Sequence, residues 1–335
     1  MRQWNRRLVL SLARRGGAVS QADIVRRSGL SPGTVLAITR QLRADKFLLP
    51  VGKGRSAGGR CPDLMRFNSA ARLVVSAHVL AQETRIALVD LAGTMVGRTA
   101  FPTRPERGVA AFLRTFESKA RALLRRQSIP GERVLARVLS VEGMVDARAG
   151  VLVNCMRLGW KDVPMQQLLE SRLGGEVYVE SDSRAAVLGE SRFGAGTSVR
   201  NLVYAFLESG IGVSLMVDGR VFHGAHQVEG EIGHTVRDPH GPLCRCGRRG
   251  CLESLAAGPA LIAAARAAGV PGMNPARGLR TEAESFARVV RMAEAGNRPA
   301  RTILEKAARL LGQALADIIN LVDPERVILA GYMTD

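Results

Sequence analysis

The stretch from Glu229 to Glu253 reads EGEIGHTVRDPHGPLCRCGRRGCLE and is rich in side chains that bind metals. It holds three of the five cysteines of the chain, Cys244, Cys246 and Cys251, and a histidine, His234, that precedes them. Thiolate sulfur and neutral imidazole are the ligands that tetrahedral Zn²⁺ prefers, and a site closed by four such ligands is structural. The pattern therefore predicts a structural zinc site formed by these four residues.

Two glycines and two acids accompany this cluster. Gly247 and Gly250 would let the backbone fold tightly enough for closely spaced sulfurs to face one ion. A metal held here would fix Glu231 and Glu253, which bracket the cluster, and would so shape a binding site. The alternatives are three free thiols beside an unrelated histidine, or a disulfide. Cys-x-Cys spacing and the lack of a secretory pattern upstream disfavour the disulfide.

The composition indicates a globular protein with sizeable cores. The chain has 335 residues, of which 46% are hydrophobic and 4% aromatic, enough for two or three domains packed mainly with aliphatic side chains. No apolar run approaches the roughly 20 residues of a membrane helix, and residues 8–13 are too short and too arginine-flanked for a signal peptide. We expect a cytoplasmic protein with no membrane partner, in which Cys61 and Cys155 are ordinary small residues.

The positive charge is concentrated at the N-terminus. Of the net charge of +18, residues 1–66 carry +11, from 14 Lys and Arg against 3 Asp and Glu, and the other 269 residues carry +7. An arginine-rich genome would explain the smaller excess but not its concentration in one segment. A basic segment of this kind is typical of contact with nucleic acid.

The N-terminal segment has the pattern of a helix-turn-helix. Apolar residues recur at helical spacing over residues 4–15, and Ser20 and Asp23 are typical of the start of a second helix. Gly29 ends that helix, and Ser31 with Pro32 would begin a third. Two helices joined by a short glycine-containing turn are typical of DNA-binding proteins. The alternative is a small helical dimerisation module.

The third helix supplies most of the candidate DNA contacts. Val35, Ile38 and Leu42 would face the core. Arg40 and Arg43 suit phosphate contacts, which position a protein without reading sequence. The residues expected at the groove are Ser31, Gly33, Thr34 and Thr39.

Residues 52–67, GKGRSAGGRCPDLMRF, predict a β-hairpin wing. Its tip consists of glycines and cations, which suit a narrow minor groove. The contacts expected from this tip are Arg55, Gly59 and Arg60. Together with the helices, the wing predicts that the segment binds double-stranded DNA.

Beyond residue 71 the pattern changes to alternating strands and helices, which indicates an α/β body. Strand-like runs cover residues 73–80, 84–101, 133–146 and 176–183, and amphipathic helices cover residues 108–128 and 184–196. Residues 201–222 read as a hairpin that turns at Gly219. Helices dominate from residue 258 to residue 322, before a last strand, RVILAG.

At this point the sequence resembles the ROK family of repressors, open reading frames and kinases. GEIGH followed by GPLCRCGRRGCLE is close to that family's signature, and SVEGMVD, LGWKDVP, VESDSRAAVLGE, LESGIGVSLMVDG and NLVDPERVILAG match further blocks in the right order. The N-terminal segment and the GGR wing resemble the repressor branch. The resemblance covers residues 4–331.

The resemblance implies an N-terminal winged helix-turn-helix followed by an actin-like, ribonuclease H-like body of two α/β lobes. We expect the DNA-binding domain over residues 1–70, the first lobe over 71–190, and the second lobe, with the zinc motif, over 191–335. The chain stops at GYMTD, where the family's glycine-rich adenosine loop begins. We therefore expect a shortened second lobe that exposes apolar surface on Val327, Ile328 and Leu329.

The resemblance also implies a sugar site. Family kinases hold the sugar through an Asn-Asp pair, the Glu and His of GExGH, and the Glu after the last zinc cysteine. The matching residues here are Ser181, Asp182, Glu231, His234 and Glu253. Asp182 would be the general base in a kinase. The alternative is that Asp182 simply pairs with a neighbouring arginine such as Arg184.

Two departures from the family alter that expectation. Where the kinases have an Asp-x-Gly-Gly-Thr phosphate hairpin, this chain has HVLAQ over residues 78–82, which lacks the acid and places Leu80 where backbone must approach phosphate. Gly210 and Gly212 retain a second phosphate loop, but half a site does not transfer phosphate. In the sugar pocket Ser181 replaces Asn, and Arg157 stands where a small amide is usual. Arg157 would recognise a carboxylate or phosphate group on the effector. The alternative is that the pocket binds no sugar.

Two functions compete on these grounds. The first is a transcriptional regulator, most simply a repressor, that binds a palindromic operator as a homodimer or dimer of dimers and responds to a sugar effector. In that case Asp182 is a vestigial base and the protein is not an enzyme. The second is an ATP-dependent sugar kinase with an accessory DNA-binding domain. Residues 78–82 favour the first.

Overall fold

The computed structural model describes residues 2–54, 61–273 and 281–334, which form two compact units. The first unit comprises residues 1–139 and 167–178, and the second comprises residues 140–166 and 179–335. No helix in the described ranges is both long enough and apolar enough to cross a membrane.

The first unit begins with a winged helix-turn-helix. Its elements are α1 (Arg2–Arg15), β1 (Ala18–Ser20), α2 (Gln21–Ser28), α3 (Pro32–Ala44), β2 (Leu48–Lys53) and β3 (Asp63–Phe67). The three strands form one antiparallel sheet with β3 in the middle. They bury a core with the helices, made of Val9, Ala13, Val19, Ile24, Val35, Leu42, Leu48 and Met65. The predicted helices and wing strands are confirmed.

Capping side chains set the helix boundaries in this region, as the sequence predicts. Ser20 Oγ accepts a hydrogen bond from the Asp23 N–H, and the Asp23 carboxylate accepts one from the Ser20 N–H. This reciprocal pair is a capping box. Gly29 ends α2 in the left-handed region at a φ of 68°. Ser31 caps α3, and Pro32 occupies its first turn.

One residue of α3 lies on the opposite face from the one predicted. Thr39 is 0% exposed, and its hydroxyl accepts from the Gln21 side-chain amide and donates to the Leu36 carbonyl. Position 39 lies four residues after Val35 and three before Leu42, so helical geometry places it on their buried face. The prediction that Thr39 faces a DNA groove is wrong.

A five-stranded sheet dominates the rest of the first unit. The strands β4 (Leu73–Val79), β5 (Glu83–Asp90) and β6 (Met95–Pro102) form an antiparallel meander, which α4 (Gly108–Arg126) and β7 (Val134–Val141) follow. Buried and half-buried side chains alternate along β4, as in a strand with one face on a core. Phe101 of β6 contacts Phe112 of α4, with ring centroids 6.1 Å apart. The helix therefore covers part of one face of the sheet.

The chain then forms a three-stranded antiparallel arm in the second unit. Its strands are β8 (Met144–Asp146), β9 (Val151–Cys155) and β10 (Trp160–Val163), with β9 in the middle. After α5 (Met165–Leu173), β11 (Val177–Ser181) completes the first sheet in the order β11-β7-β4-β5-β6. The helix α6 (Asp182–Phe193) starts directly at the end of β11.

A second sheet and four helices make up most of the second unit. The elements are β12 (Leu202–Leu207), β13 (Ile211–Val217), β14 (Arg220–Val221), α7 (Leu252–Ala256), α8 (Gly258–Ala267), α9 (Glu282–Glu294), α10 (Arg298–Val322) and β15 (Arg326–Ala330). The sheet order is β14-β13-β12-β15, and β15 runs parallel to β12. The predicted α/β architecture is confirmed.

Two details of this sheet bear on the predictions. The hairpin of β12 and β13 turns at residues 208–210, whereas Gly219 lies one turn later, between β13 and β14, at a φ of 75°. On β15, Leu329 is 48% exposed, and Val327 and Ile328 are half-buried. The expected apolar exposure is therefore clearest at Leu329.

Candidate functional site

The four predicted metal ligands converge. The ligand atoms of His234, Cys244, Cys246 and Cys251 all lie within 4.8 Å of one another. Cys246 Sγ is 3.6 Å from Cys251 Sγ, and Cys244 Sγ is 3.6 Å from His234 Nδ1. Ligands at zinc–sulfur and zinc–nitrogen bond lengths around a tetrahedral centre lie roughly 3.5–3.8 Å apart. This cluster, the cysteine knot below, can hold a metal ion, and its cysteines are free, which rules out the disulfide alternative.

Glycine makes the fold of the cysteine knot possible. A Cβ added at Gly250 would lie 1.4 Å from the carbonyl oxygen of Asp238, so only glycine fits there. Gly247 adopts a φ of 88°, which closes a turn in which its N–H donates to the Cys244 carbonyl. The Cys244 N–H in turn donates to the Arg248 carbonyl. The turn thus aims sulfurs two and five residues apart at one point.

The thiols of the cysteine knot differ in acidity. The backbone N–H of Arg248 donates to Cys246 and lowers the pKa of that thiol to about 6. Burial raises the pKa of the Cys251 thiol to about 12. A buried thiol of this kind gives up its proton at neutral pH only to a cation that replaces it. The donor set therefore fits a metal that binds thiolates tightly.

His234 faces two partners with its two ring nitrogens. Nδ1 points to Cys244, while Nε2 lies 3.7 Å from Glu231 Oε2. A histidine that gives one nitrogen to a metal commonly donates the other N–H to a carboxylate, which fixes its orientation. The two roles predicted for His234, metal ligand and part of the sugar site, are thus compatible because each uses a different nitrogen.

The segment before His234 lies tightly against strand β13. A Cβ at Gly230 would meet the Val213 carbonyl oxygen at 1.8 Å, and one at Gly233 would meet the Ile211 carbonyl oxygen at 2.3 Å. These close approaches hold the 3-10 turn Ile232–His234 on the strand. Glu231 therefore has a fixed position beside the second sheet.

The cysteine knot also places Glu253. The N–H of Leu252, next to Cys251, donates to the Thr235 carbonyl, and α7 starts there. In the first turn of this helix, Glu253 Oε2 accepts a hydrogen bond of 3.3 Å from the Ile211 N–H. The two acids that bracket the knot thus both lie near the start of β13.

Six carboxylates influence one another around this point. Burial raises the pKa of Glu231, and Glu253, Asp182 and Glu229 raise it further, against the opposing effect of His234. Burial also raises the pKa of Glu142 to about 7, helped by Asp182 and Glu282 and opposed by Arg157 and Arg245. Besides Glu229, which pairs with Arg184, the acids that share this site are Glu142, Asp182, Glu208, Glu231, Glu253 and Glu282. Sequence reasoning missed Glu142, Glu208 and Glu282.

Ser181 and Asp182 form the start of α6. Ser181 is 6% exposed, and its Oγ accepts the N–H of Arg184 as the helix cap. Asp182 Oδ1 accepts the Ser183 N–H at 2.7 Å. The cap fixes Asp182 at the end of β11, in the first turn of the helix, where a negative charge is favourable.

Arg157 pairs with Glu142 within the site. Its Nε lies 3.2 Å from Glu142 Oε1, and both side chains are largely buried, at 24% and 20% exposed. The pair comes from two places in the antiparallel arm, one before β8 and one after β9. An anionic ligand at Arg157 would therefore have to displace Glu142.

Arg184 forms a buried network of hydrogen bonds and ion pairs at the start of α6. Its guanidinium contacts Glu180, Glu229 and the Val145 carbonyl through Nε, Nη1 and Nη2. The side chains of Arg184 and Glu229 are only 5% and 8% exposed. The guanidinium therefore pairs with Glu180 and Glu229, whereas the alternative interpretation called for a pair with Asp182.

The loop that carries Gly210 and Gly212 is lined by acids. Burial raises the pKa of Glu208, and Ser209 Oγ donates to Glu282 at the start of α9. The Tyr332 hydroxyl also donates to Glu282, at 3.3 Å. A phosphate group at this loop would meet carboxylates, because Glu208, Glu253 and Glu282 surround it.

Gly258 lies next to this loop, because its N–H donates to the Glu208 carbonyl. A Cβ there would lie 2.1 Å from the Tyr332 hydroxyl, so this side chain packs directly on the start of α8. At the missing first phosphate hairpin, the Leu80 N–H donates to the Glu83 carbonyl and is unavailable to a ligand.

The candidate DNA surface lies on α3. Ser31, Gly33, Arg40 and Arg43 are exposed, and Thr34 is half-buried with its hydroxyl 2.9 Å from Ser31 Oγ. Leu36, 45% exposed, shares this face and was missed, although its spacing from Arg40 follows helical periodicity. The wing-tip predictions Arg55, Gly59 and Arg60 lie outside the described residues and stay predictions.

Neutralising the cations of α3 should weaken DNA binding in a salt-dependent way. We expect Arg40→Gln and Arg43→Gln each to lower the slope of log affinity against log salt by about 1, because each removes one phosphate contact. The check is fluorescence anisotropy on a labelled duplex over a salt series. Arg114→Gln, which removes an exposed charge on α4, is the matched control and should leave the slope unchanged.

Glu142 should make stability depend on pH. Its pKa is about 7 in the folded protein against an ordinary value of 4.5. The unfolded chain therefore releases this proton first, and stability falls as pH rises from about 4.5 to 7, by up to about 3 kcal/mol. We expect Glu142→Gln to match the wild type near pH 4.5 and to exceed its stability at pH 8. Urea unfolding at both pH values measures this, and an equal difference at the two would contradict it.

The ROK family model matches residues 79–335. Over 331 residues the chain is 24% identical to the xylose repressor of Caldicellulosiruptor bescii, a match that spans 98% of this chain and 83% of that protein. Over 346 residues it is 26% identical to the DNA-binding transcriptional dual regulator NagC of Escherichia coli, which spans 100% of this chain and 82% of NagC.

Two solved structures extend this likeness to three dimensions. A ROK family transcriptional regulator, a homologue of the E. coli MLC protein, superposes with a TM-score of 0.83 at 26% identity, over 99% of this chain and 84% of that one. The ROK hexokinase of Thermus thermophilus superposes with a TM-score of 0.65 at 30% identity, over 78% of this chain and 83% of the hexokinase. The hexokinase match spans a smaller share of this chain than the regulator match does.

Proposed function

The chain belongs to the ROK family, as the sequence predicts, and on that premise we propose that it is a DNA-binding transcriptional regulator controlled by a sugar or sugar derivative. The observation that carries the proposal is that a winged helix-turn-helix with its own buried core precedes residues 79–335, which match the ROK family. The xylose repressor and NagC resemble the chain over nearly its whole length. The simplest form of this regulation is that the protein represses transcription.

The N-terminal domain, over residues 1–70, would bind a double-stranded operator. The exposed start of α3 would enter the major groove, with Arg40 and Arg43 on phosphates. Arg55, Gly59 and Arg60 would extend the contact into the minor groove. A homodimer or dimer of dimers would match a palindromic site. The lobes over residues 71–190 and 191–335 would carry the response to the effector.

The cysteine knot would hold one Zn²⁺ through His234 Nδ1 and the three sulfurs. Such an ion supplies structural cross-linking and has no open position for chemistry. The residues themselves do the rest: Nε2 of His234 is aimed at Glu231, and the start of α7 presents Glu253 to β13. The knot would therefore act as a brace for the effector site.

The effector site would consist of Ser181, Asp182, Glu231, His234, Glu253 and Arg157. Carboxylates are good acceptors for sugar hydroxyls, and three of these residues are acids that influence one another's charge. Ser181 would act mainly by capping α6 and so holding Asp182 in place. Arg157, paired with Glu142, would donate hydrogen bonds to the ligand or exchange its partner for an anionic group.

A sugar kinase is the competing function, and the hexokinase likeness gives it weight. Three features favour a sensor over an enzyme. The first phosphate hairpin lacks its acid, Glu208 and Glu282 surround the second loop, and Tyr332 packs on Gly258. Asp182 would then remain as a vestigial base that binds ligand without activating it.

The test is a thermal-shift screen of sugars and sugar phosphates, with ATP turnover measured in parallel. Xylose, N-acetylglucosamine and their phosphates form the first panel. We expect at least one compound to raise the melting temperature of the wild type but not of Glu253→Gln. Phosphorylation of any sugar by ATP would instead establish the kinase.

A further inference from the structure

The first unit contains an arginine-lined cavity that the proposed function does not use. It lies at the C-terminal half of α4, where its lining includes Arg121, Arg125, Arg137, Leu124, Ile129 and Leu173. We name it the arginine cavity. Three of its lining residues are arginines and none is an acid. The nearly buried Val75 and Ala120 form an apolar floor, at 2% and 3% exposed.

The guanidinium of Arg137 is held inside this cavity. Arg137 lies half-buried on β7, and its Nη1 would be 2.6 Å from a Cβ at Gly175, so it packs directly against that glycine. The backbone N–H of Arg137 donates to the Glu176 carbonyl. Burial and the nearby charge of Arg121 lower the pKa of Arg137. The folded protein thus keeps two cations close together over an apolar floor.

The acids nearby do not neutralise this charge. Glu117 pairs with Arg121 at 3.0 Å and with Arg172 at 3.6 Å, so one carboxylate serves two guanidiniums. Within the described ranges, Arg125 and Arg137 form no ion pair with any acid. Arg137 is half-buried, whereas Arg121 is 54% exposed and pairs with Glu117. An anion beside Arg137 would therefore restore the stabilisation that burial removes from its charge.

We propose that the arginine cavity binds the phosphate group of a small phosphorylated metabolite. Arg137 at the inner wall and Arg125 at the rim would donate charge-assisted hydrogen bonds to the phosphate oxygens. The half-buried side chains of Leu124, Ile129 and Leu173 would contact the organic part of the ligand. This site lies outside the carboxylate-rich effector site, whose charge has the opposite sign.

Isothermal titration calorimetry with two probes tests the proposal. Inorganic phosphate measures the anion contact alone, and phenyl phosphate adds an apolar group that distinguishes an organic ligand from the free ion. We expect phenyl phosphate to bind the wild type more tightly than phosphate. We expect Arg137→Gln to weaken both by about tenfold, since one charge-assisted hydrogen bond is lost. Arg114→Gln, on the exposed face of α4, should bind as the wild type does.

A second variant protects the test against misfolding. Arg125 is exposed on α4, so Arg125→Gln should fold normally and should also weaken both probes. Equal binding by the wild type and both cavity variants would overturn the proposal. So would binding that survives in these variants but is lost in an Arg40→Gln, Arg43→Gln double variant, because the phosphate would then occupy the DNA surface.

Discussion

Replacement of Cys251 by serine should release the metal and strongly destabilise the second unit. Cys251 is 0% exposed, and its Sγ lies 3.6 Å from Cys246 Sγ. Its replacement therefore removes the buried thiolate from the four metal ligands. Metal-binding free energy in closed thiolate sites is on the order of 10 kcal/mol and is coupled to folding. We expect about one metal ion per chain in the wild type and a small fraction of that in Cys251→Ser.

Plasma emission spectroscopy and thermal unfolding measure the two effects. Cys155→Ser is the matched control, because Cys155 is 1% exposed in the same unit but lies outside the cysteine knot. Cys155→Ser should keep the metal, and its stability should fall only by the small contribution of one buried thiol. A metal-free wild type that folds stably, or a Cys251→Ser protein that keeps its metal, would contradict the proposal that a metal in the cysteine knot braces the effector site.

The second large effect should come from Arg184→Ala. This change leaves the Glu229 carboxylate buried, at 8% side-chain exposure, without its cation, and Glu229 Oε2 already has no hydrogen-bond partner. Removing one member of such a pair costs about 3–5 kcal/mol. Because α6 begins at Asp182, we also expect weaker effector binding.

A double variant whose unfolding in urea is measured beside Arg184→Ala tests this interaction. Arg184→Met with Glu229→Gln removes both charges and should be less destabilising than Arg184→Ala alone. Arg192→Ala, which removes an exposed cation from the same helix, should change the free energy of unfolding by no more than about 0.5 kcal/mol. Equal losses in Arg184→Ala and Arg192→Ala would show that the buried pair has no special weight.

Local signals in the sequence predicted much of this structure. The caps Ser20 and Ser31 and the breaker Gly29 located the helices because each acts on its immediate neighbours. The cysteine knot was predictable for the same reason, since its ligands lie within one short stretch. Thr39 is the exception, because its polar side chain indicates an exposed position while its helical spacing from Val35 places it in the core.

The rest of the site depends on contacts between distant segments. Glu142 meets Arg157 only because the register of β8 and β9 brings them together, and Arg184 reaches Glu229 45 residues away. The arginine cavity likewise joins α4, β7 and the end of α5. No spacing rule in one sequence reveals such pairings, so the charge balance of the site emerges only from the fold.

Control of DNA binding by a sugar can be measured from the fluorescence anisotropy of a labelled duplex from upstream of the protein's own gene, titrated with sugars and sugar phosphates. We predict salt-dependent binding by the wild type and release, or tightening, by one of these compounds. Asp182→Asn should bind the duplex equally well and lose the response. A wild-type protein that binds this duplex no better than the Arg40→Gln, Arg43→Gln variant, and ignores every compound, would contradict the account.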